Sequence, residues 1–442
     1  MSRFLIGCAL ALLLSPARQV VAARPAAGVI PQQTVQRVGL ERAWAARVEL
    51  NAGRGRVAHL SLQAGLLMAQ TDQATLQVFD AETRRTLWVT RLGRAGSVTT
   101  APAASDQYVA ATNAGNLILF DRASGRALWQ KKLASVPSAG PAIGHDRVYV
   151  PLITGMLTTY RLPNPQRDET PLEQTFKDSA FNYTGKGVAF APPVVTYGAV
   201  FWGTDAGNIY AVNPEKLEAQ FRVKTRGAVM ARVTYRDPFI YGASRDGYVY
   251  CIQDQKGSLR WKFSVGSPIV EQPMVTDDGV YVIPEIGGLY KISLERGELI
   301  WRVPGPFQFL AASPTRLYTA DRAGRLLIFD ARTGARLGWL PTEGLPLKVF
   351  NRENDRIYLA TTDGLVQCLH ETGLREPAWH VGRFGGEESE GDEPADAEMP
   401  ADESTPAAKG PDPFAEGDAM PDEAGADDAG ADDDAAMEDD AP

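Results

Sequence analysis

From about residue 70 to residue 370, apolar positions fall in short β-branched and aromatic runs separated by tight, glycine-bearing turns. The clearest set is VYVPL from 148, VFWGT from 200, IYGAS from 240, VYVIP from 280, LYTAD from 317 and IYLAT from 357. These are strand compositions. About seven residues into each unit a turn such as NAGN, DAGN, RDGY, RAGR or TDGL predicts a tight hairpin, and a further strand follows it. In that strand the second and fifth residues after the glycine are apolar or aromatic. A second turn, DRASGR or DARTGA, then leads to an outer strand that carries one large aromatic residue.

Aligned on the glycine, the units read GNLILFD at 115, GMLTTYR at 155, GNIYAVN at 207, GYVYCIQ at 247, GGLYKIS at 287, GRLLIFD at 324 and GLVQCLH at 364, with ATLQVFD at 74 as an eighth. A period near 40 with four strands per unit predicts an all-β, eight-bladed propeller of four-stranded antiparallel blades. The outer-strand aromatics are expected at Trp88, Trp129, Phe176, Phe221, Trp261, Trp301, Trp339 and Trp379, with Trp44 as a ninth candidate. A large ring once per blade suits a wedge between neighbouring sheets, so these residues, and Asp121 and Gly125 beside Trp129, are read as structural. The glycines serve turns; none opens a helix, and no phosphate-cradling loop is indicated.

Nine outer strands for eight blades raise the question of how the ring closes. The simplest solution gives 42–50 to the last blade and leaves 377–382 as an added edge strand. The reverse assignment stays open.

GNLILFDRASGRALW and its sibling segments resemble the pyrroloquinoline-quinone (PQQ) repeat of quinoprotein-like propellers. Within that superfamily the chain is most similar to the B component of the outer-membrane β-barrel assembly machine, through AW…V…G at 43–55 and DGLVQCLH at 363–370. The resemblance covers about 41–370. It implies a non-catalytic protein-binding scaffold of the bacterial envelope, with a barrel-assembly complex as partner. The same repeat also builds quinone-dependent dehydrogenases and could house a small-molecule-sensing channel, so these stand as alternatives.

Site chemistry favours the scaffold. The Cys-Cys pair that quinoprotein alcohol dehydrogenases place over the quinone is missing. The carboxylates nearest the expected openings, Asp205, Asp246, Glu271, Glu285 and Asp321, are more simply turn or loop residues. His59, His145, His370 and His380 lack ligand spacing, and there is no haem-attachment motif and no nucleophile elbow. No cofactor or metal is expected. The interval between the units at 155 and 207 is 52 residues. With LEQTF at 172–176 as outer strand, DSAFNYTGKG at 178–187 becomes a loop, and Phe181, Asn182 and Tyr183 form a candidate partner contact.

Charge divides unevenly. Residues 387–442 hold 22 of the 54 acidic residues and one of the 45 basic ones, a net of −21, which leaves +12 on the rest. The tail, taken as 384–442, has too few large apolar residues to fold alone and is expected to be disordered. Residues 1–23 read as a secretory signal with an apolar run too short to span a bilayer, 24–40 as a linker, and 41–383 as the propeller. Cys8 sits before the apolar run and is a poor lipidation site. The expected location is the periplasm or the periplasmic face of the outer membrane, at most peripheral to it, as a monomeric ring. Basic residues lack the interleaved stacking aromatics that nucleic acid would call for. Cys251 and Cys368, three repeats apart, are expected to be buried and unpaired.

Overall fold

The computed structural model describes residues 28–50, 55–144, 146–163, 181–216 and 218–380. Within them the chain forms eight four-stranded antiparallel sheets arranged as the blades of a propeller. The second blade shows how sequence makes one: β6 (Ala103–Ala104), β7 (Tyr108–Asn113), β8 (Asn116–Asp121) and β9 (Ala127–Lys132). The two middle strands are buried on both faces, whereas β9 buries only its third residue, Trp129. Side chains of a strand alternate between its two faces, so one blade feeds two cores. Val109, Ala111, Ile118 and Phe120 pack against Leu66, Met68 and Val78 of the first blade. Ala110, Leu117, Leu119 and Trp129 pack against Val148, Val150 and Tyr160 of the third. Eight such clusters fill the eight seams of the ring.

The ring closes through the N-terminal segment. β1 (Leu40–Arg47) pairs antiparallel with β32 (Leu365–Glu371) and is the outer strand of the eighth blade, whose inner strands are β30 (Leu347–Lys348) and β31 (Ile357–Ala360). Closure from the chain's two ends leaves no open sheet edge at the joint. Trp44 therefore occupies the docking place, 7% exposed, with its Nε1 donating to the Ala81 carbonyl. Trp379 belongs to no sheet; it makes one isolated bridge with Asn354 and is half-exposed, so it is not a blade-docking residue.

The tryptophan wedge has a specific seat. Trp88 Nε1 donates to the Arg122 carbonyl at 2.7 Å, and its ring lies over Gly125 in the turn of the next blade. Trp261 sits likewise on Gly297 with Nε1 bonded to Leu294, and Trp301 on Gly334 with Nε1 bonded to Arg332. Phe221 covers Gly257. Trp339 is 46% exposed, because the eighth blade draws its outer strand from β1 and offers no third-to-fourth-strand turn to receive it.

Two further expectations are corrected. The segment 28–40 is no linker: Gln32–Gln36 form a short helix, and Ile30 and Val35 are buried in the seam between the seventh and eighth blades. Phe181, Asn182 and Tyr183 are not in a loop. Phe181–Thr184 is β13, the outer strand of the third blade, paired with β12 (Met156–Arg161). Tyr183 pairs with Leu157 and its ring lies 6.1 Å from Trp202 of the fourth blade, so it fills the wedge place that the LEQTF alignment had given to Phe176. Phe176 itself, His145, the 1–23 signal and the acidic tail lie outside the described residues.

Candidate functional site: the hairpin face of the ring

Each blade sends its second-to-third-strand hairpin, and its link to the next blade, to one face. The first-to-second and third-to-fourth turns lie on the other. The carboxylates singled out in the sequence all fall on the hairpin face, Asp205, Asp246, Glu285 and Asp321 in hairpins and Glu271 in an inter-blade link. Asp205 accepts the Val188 amide at 2.7 Å, and Asp246 accepts the Arg226 amide at 2.9 Å and the Tyr250 hydroxyl at 2.7 Å. Asp321 binds the Arg325 amide and guanidinium, which hold its carboxyl below the usual range despite the desolvation opposing them. These groups brace hairpins. Glu285 pairs with Arg245 at 3.5 Å, bridging neighbouring hairpins. Glu271, on the inner side of the sixth blade, has its pKa raised by burial. Among the described residues no three histidine, cysteine or carboxylate side chains gather as metal ligands would. His59, His370 and His380 each meet a backbone carbonyl, in three separate places. Cys251 and Cys368 are buried and free, and burial pushes the Cys251 thiol up to about 12.

What the sequence reading missed is the distribution of exposed apolar side chains. Val98, Val136, Ile153, Phe190, Ile286 and Phe307 all stand on the hairpin face, in hairpins or inter-blade links. On the opposite face the comparable residues are Tyr197 and Trp379. Single exposed apolar residues are ordinary, but a gathering on one face marks a contact surface. The signal was weak in sequence because each of these residues sits alone in its own loop, one or two per repeat.

A concavity of about 470 Å³ on that face lies between the sixth and seventh blades. Ile286, 75% exposed, forms one lip and Phe307, 39% exposed, the other. Arg322 lies 4.5 Å over the Phe307 ring and donates to the Glu285 carbonyl, which fixes both lips. Arg325 is paired with Asp321. Arg322 and Arg336 line the groove without a carboxylate partner among the described residues, so it is apolar with excess positive charge.

Eight four-stranded blades, most of them docked by an aromatic residue of the outer strand and the last closed by the N-terminal strand, define the PQQ-repeat class of propeller. The chain belongs to the family described as outer membrane protein assembly factor BamB, whose profile matches residues 31–220 and 197–317. Among solved structures it is similar to BamB from Moraxella catarrhalis, at 17% identity and TM-score 0.60, over 75% of this chain and 99% of that one. It is also similar to the computationally designed Ika8 protein, at 13% identity and TM-score 0.56, over 75% of this chain and 98% of that one. At such identities the structural likeness speaks for the fold. No curated protein matches the chain. No helix among the described residues is long and apolar enough to cross a membrane.

Proposed function

We propose that the protein is a non-catalytic scaffold of the bacterial envelope that holds a partner of the outer-membrane protein assembly apparatus against its hairpin face, with the ring in the periplasm. Family membership supports the assembly role. The observation that carries the choice of face is the grouping of six exposed apolar side chains there, beside a groove with unpaired arginines. Such a surface suits a partner segment that combines aliphatic or aromatic side chains with carboxylates.

The test is site-specific photocrosslinking in intact cells. A photoreactive residue is placed at Ile286 or Ile153 on the hairpin face, and at Tyr197, 89% exposed on the opposite face. Crosslinks to an assembly component from 286 and 153 but not from 197 are expected. Crosslinks from 197 alone would overturn the choice of face, and a reproducible partner outside the assembly apparatus would overturn the role.

A further inference from the structure

Charge is not spread evenly over the hairpin face. Among the described residues, six of the eight second-to-third-strand hairpins carry a carboxylate: Asp72, Asp205, Asp246, Glu285, Asp321 and Asp363. The second hairpin, at 113–116, and the third, at 153–156, carry none. The links on either side of the second hairpin, at 92–102 and 133–141, also lack acidic residues. Cations stand there instead. Arg91 ends β5 (Thr86–Arg91) and Arg94 follows it, while Lys131 and Lys132 end β9. Arg91, Arg94 and Lys132 are exposed and Lys131 is half-buried.

The fold does not require this change of charge. Asp72 and Asp205 brace the links before them by accepting the Arg56 and Val188 amides at 2.9 and 2.7 Å. In the second blade Asn113 accepts the Arg94 amide at 3.1 Å, so the brace is kept and the carboxylate is given up. Two valines are fixed beside these cations. The Val98 carbonyl accepts the Ala114 amide at 3.3 Å, and the Val136 carbonyl accepts the Ile153 amide at 2.9 Å, while both side chains stay exposed. Aliphatic tips standing singly on separate loops suit a fluid interface, which closes around each one. Cations ringing them suit mobile phosphate headgroups.

We propose that the hairpin face around the second blade rests on an anionic phospholipid surface, with Val98 and Val136 entering the headgroup layer and Arg91, Arg94, Lys131 and Lys132 meeting phosphates. The groove between the sixth and seventh blades lies across the ring, so a membrane and the partner proposed above can be held together. Flotation of the chain without the expected signal, residues 24–442, tests the proposal. The vesicles are phosphatidylcholine and phosphatidylglycerol in equal amounts, or phosphatidylcholine alone. Binding to the anionic vesicles only, falling as salt is raised, is expected. Arg91→Gln with Arg94→Gln, and Lys131→Gln with Lys132→Gln, should each weaken it about tenfold. Arg84→Gln with Arg85→Gln, the same change of charge in a turn on the opposite face, should leave it unchanged. Every protein compared carries the same acidic tail, so its charge cancels. A polarity-sensitive fluorophore on Val98→Cys should brighten with anionic vesicles and one on Tyr197→Cys should not; the native Cys251 and Cys368 are buried. Absence of binding, equal loss on neutralising Arg84 and Arg85, or an unchanged fluorophore at 98 overturns the proposal. Photocrosslinks from 98 and 136 to a protein, without vesicle binding, would make the sector a protein contact instead. The partner reading survives either result, because its test is read at 286.

Discussion

Gly125→Ala tests the wedge on which the ring is built. Gly125 has φ +66°, a left-handed conformation that costs a side-chain-bearing residue about 1–2 kcal/mol. A Cβ there would also lie 2.4 Å from Cδ2 of Trp88, inside any permitted contact, and the obstacle is a rigid ring whose Nε1 is tied to Arg122. Forcing extra volume into a packed site costs about 1–3 kcal/mol more, so the total is about 2–5 kcal/mol. Gly115 provides the internal standard. Its φ is +77° and a Cβ would meet nothing within 4 Å, so Gly115→Ala carries the backbone cost alone.

Urea unfolding followed by far-ultraviolet circular dichroism measures both, with an unchanged slope showing that stability itself has moved. The excess of Gly125→Ala over Gly115→Ala, about 1–3 kcal/mol, is assigned to the docked ring. In a Trp88→Ala background that excess should vanish, since the contact it depends on is gone. If Gly125→Ala costs no more than Gly115→Ala, or if the excess survives removal of Trp88, the docking argument is wrong.

Further outcomes follow from the same geometry. Trp44→Ala should cost about 3–5 kcal/mol, as expected for a buried aromatic, while Trp379→Ala should cost under about 1 kcal/mol; equal costs would contradict closure of the ring by β1. Glu271→Gln should raise the unfolding midpoint at neutral pH. Burial raises the folded-state pKa of Glu271, so its stability is fully present below the unfolded value near about 4.3 and is lost as pH rises past it. The advantage of the glutamine variant should therefore disappear below about pH 4, and persistence there would refute it. Cys251 and Cys368 should resist alkylation in the native chain at pH 8 and react on unfolding, because both are buried and burial raises their pKa values; mass spectrometry of the labelled peptides reads this directly.

The repeat was legible because a blade needs the same physics eight times. Two doubly buried strands demand β-branched runs, a tight hairpin demands a residue that tolerates positive φ, and the outer strand demands one wedge. Gly115, Gly207, Gly247, Gly324 and Gly364 all carry positive φ for that reason. Ala74 takes the same conformation at φ 57° without being glycine, which is why its unit aligned despite the missing residue. The third blade misled the alignment because LEQTF matched LEAQF in composition, whereas register is decided by pairing. Tyr183 opposite Leu157 puts a ring against Trp202. Function was less legible for a related reason. A hairpin-face side chain such as Ile286 or Val98 answers to no periodic constraint, and Asn113 braces its link as Asp72 and Asp205 brace theirs, at a place where the fold accepts either. Residues on which the fold places no demand carry no pattern, so a propeller's binding surfaces become visible once its strands have been placed in space.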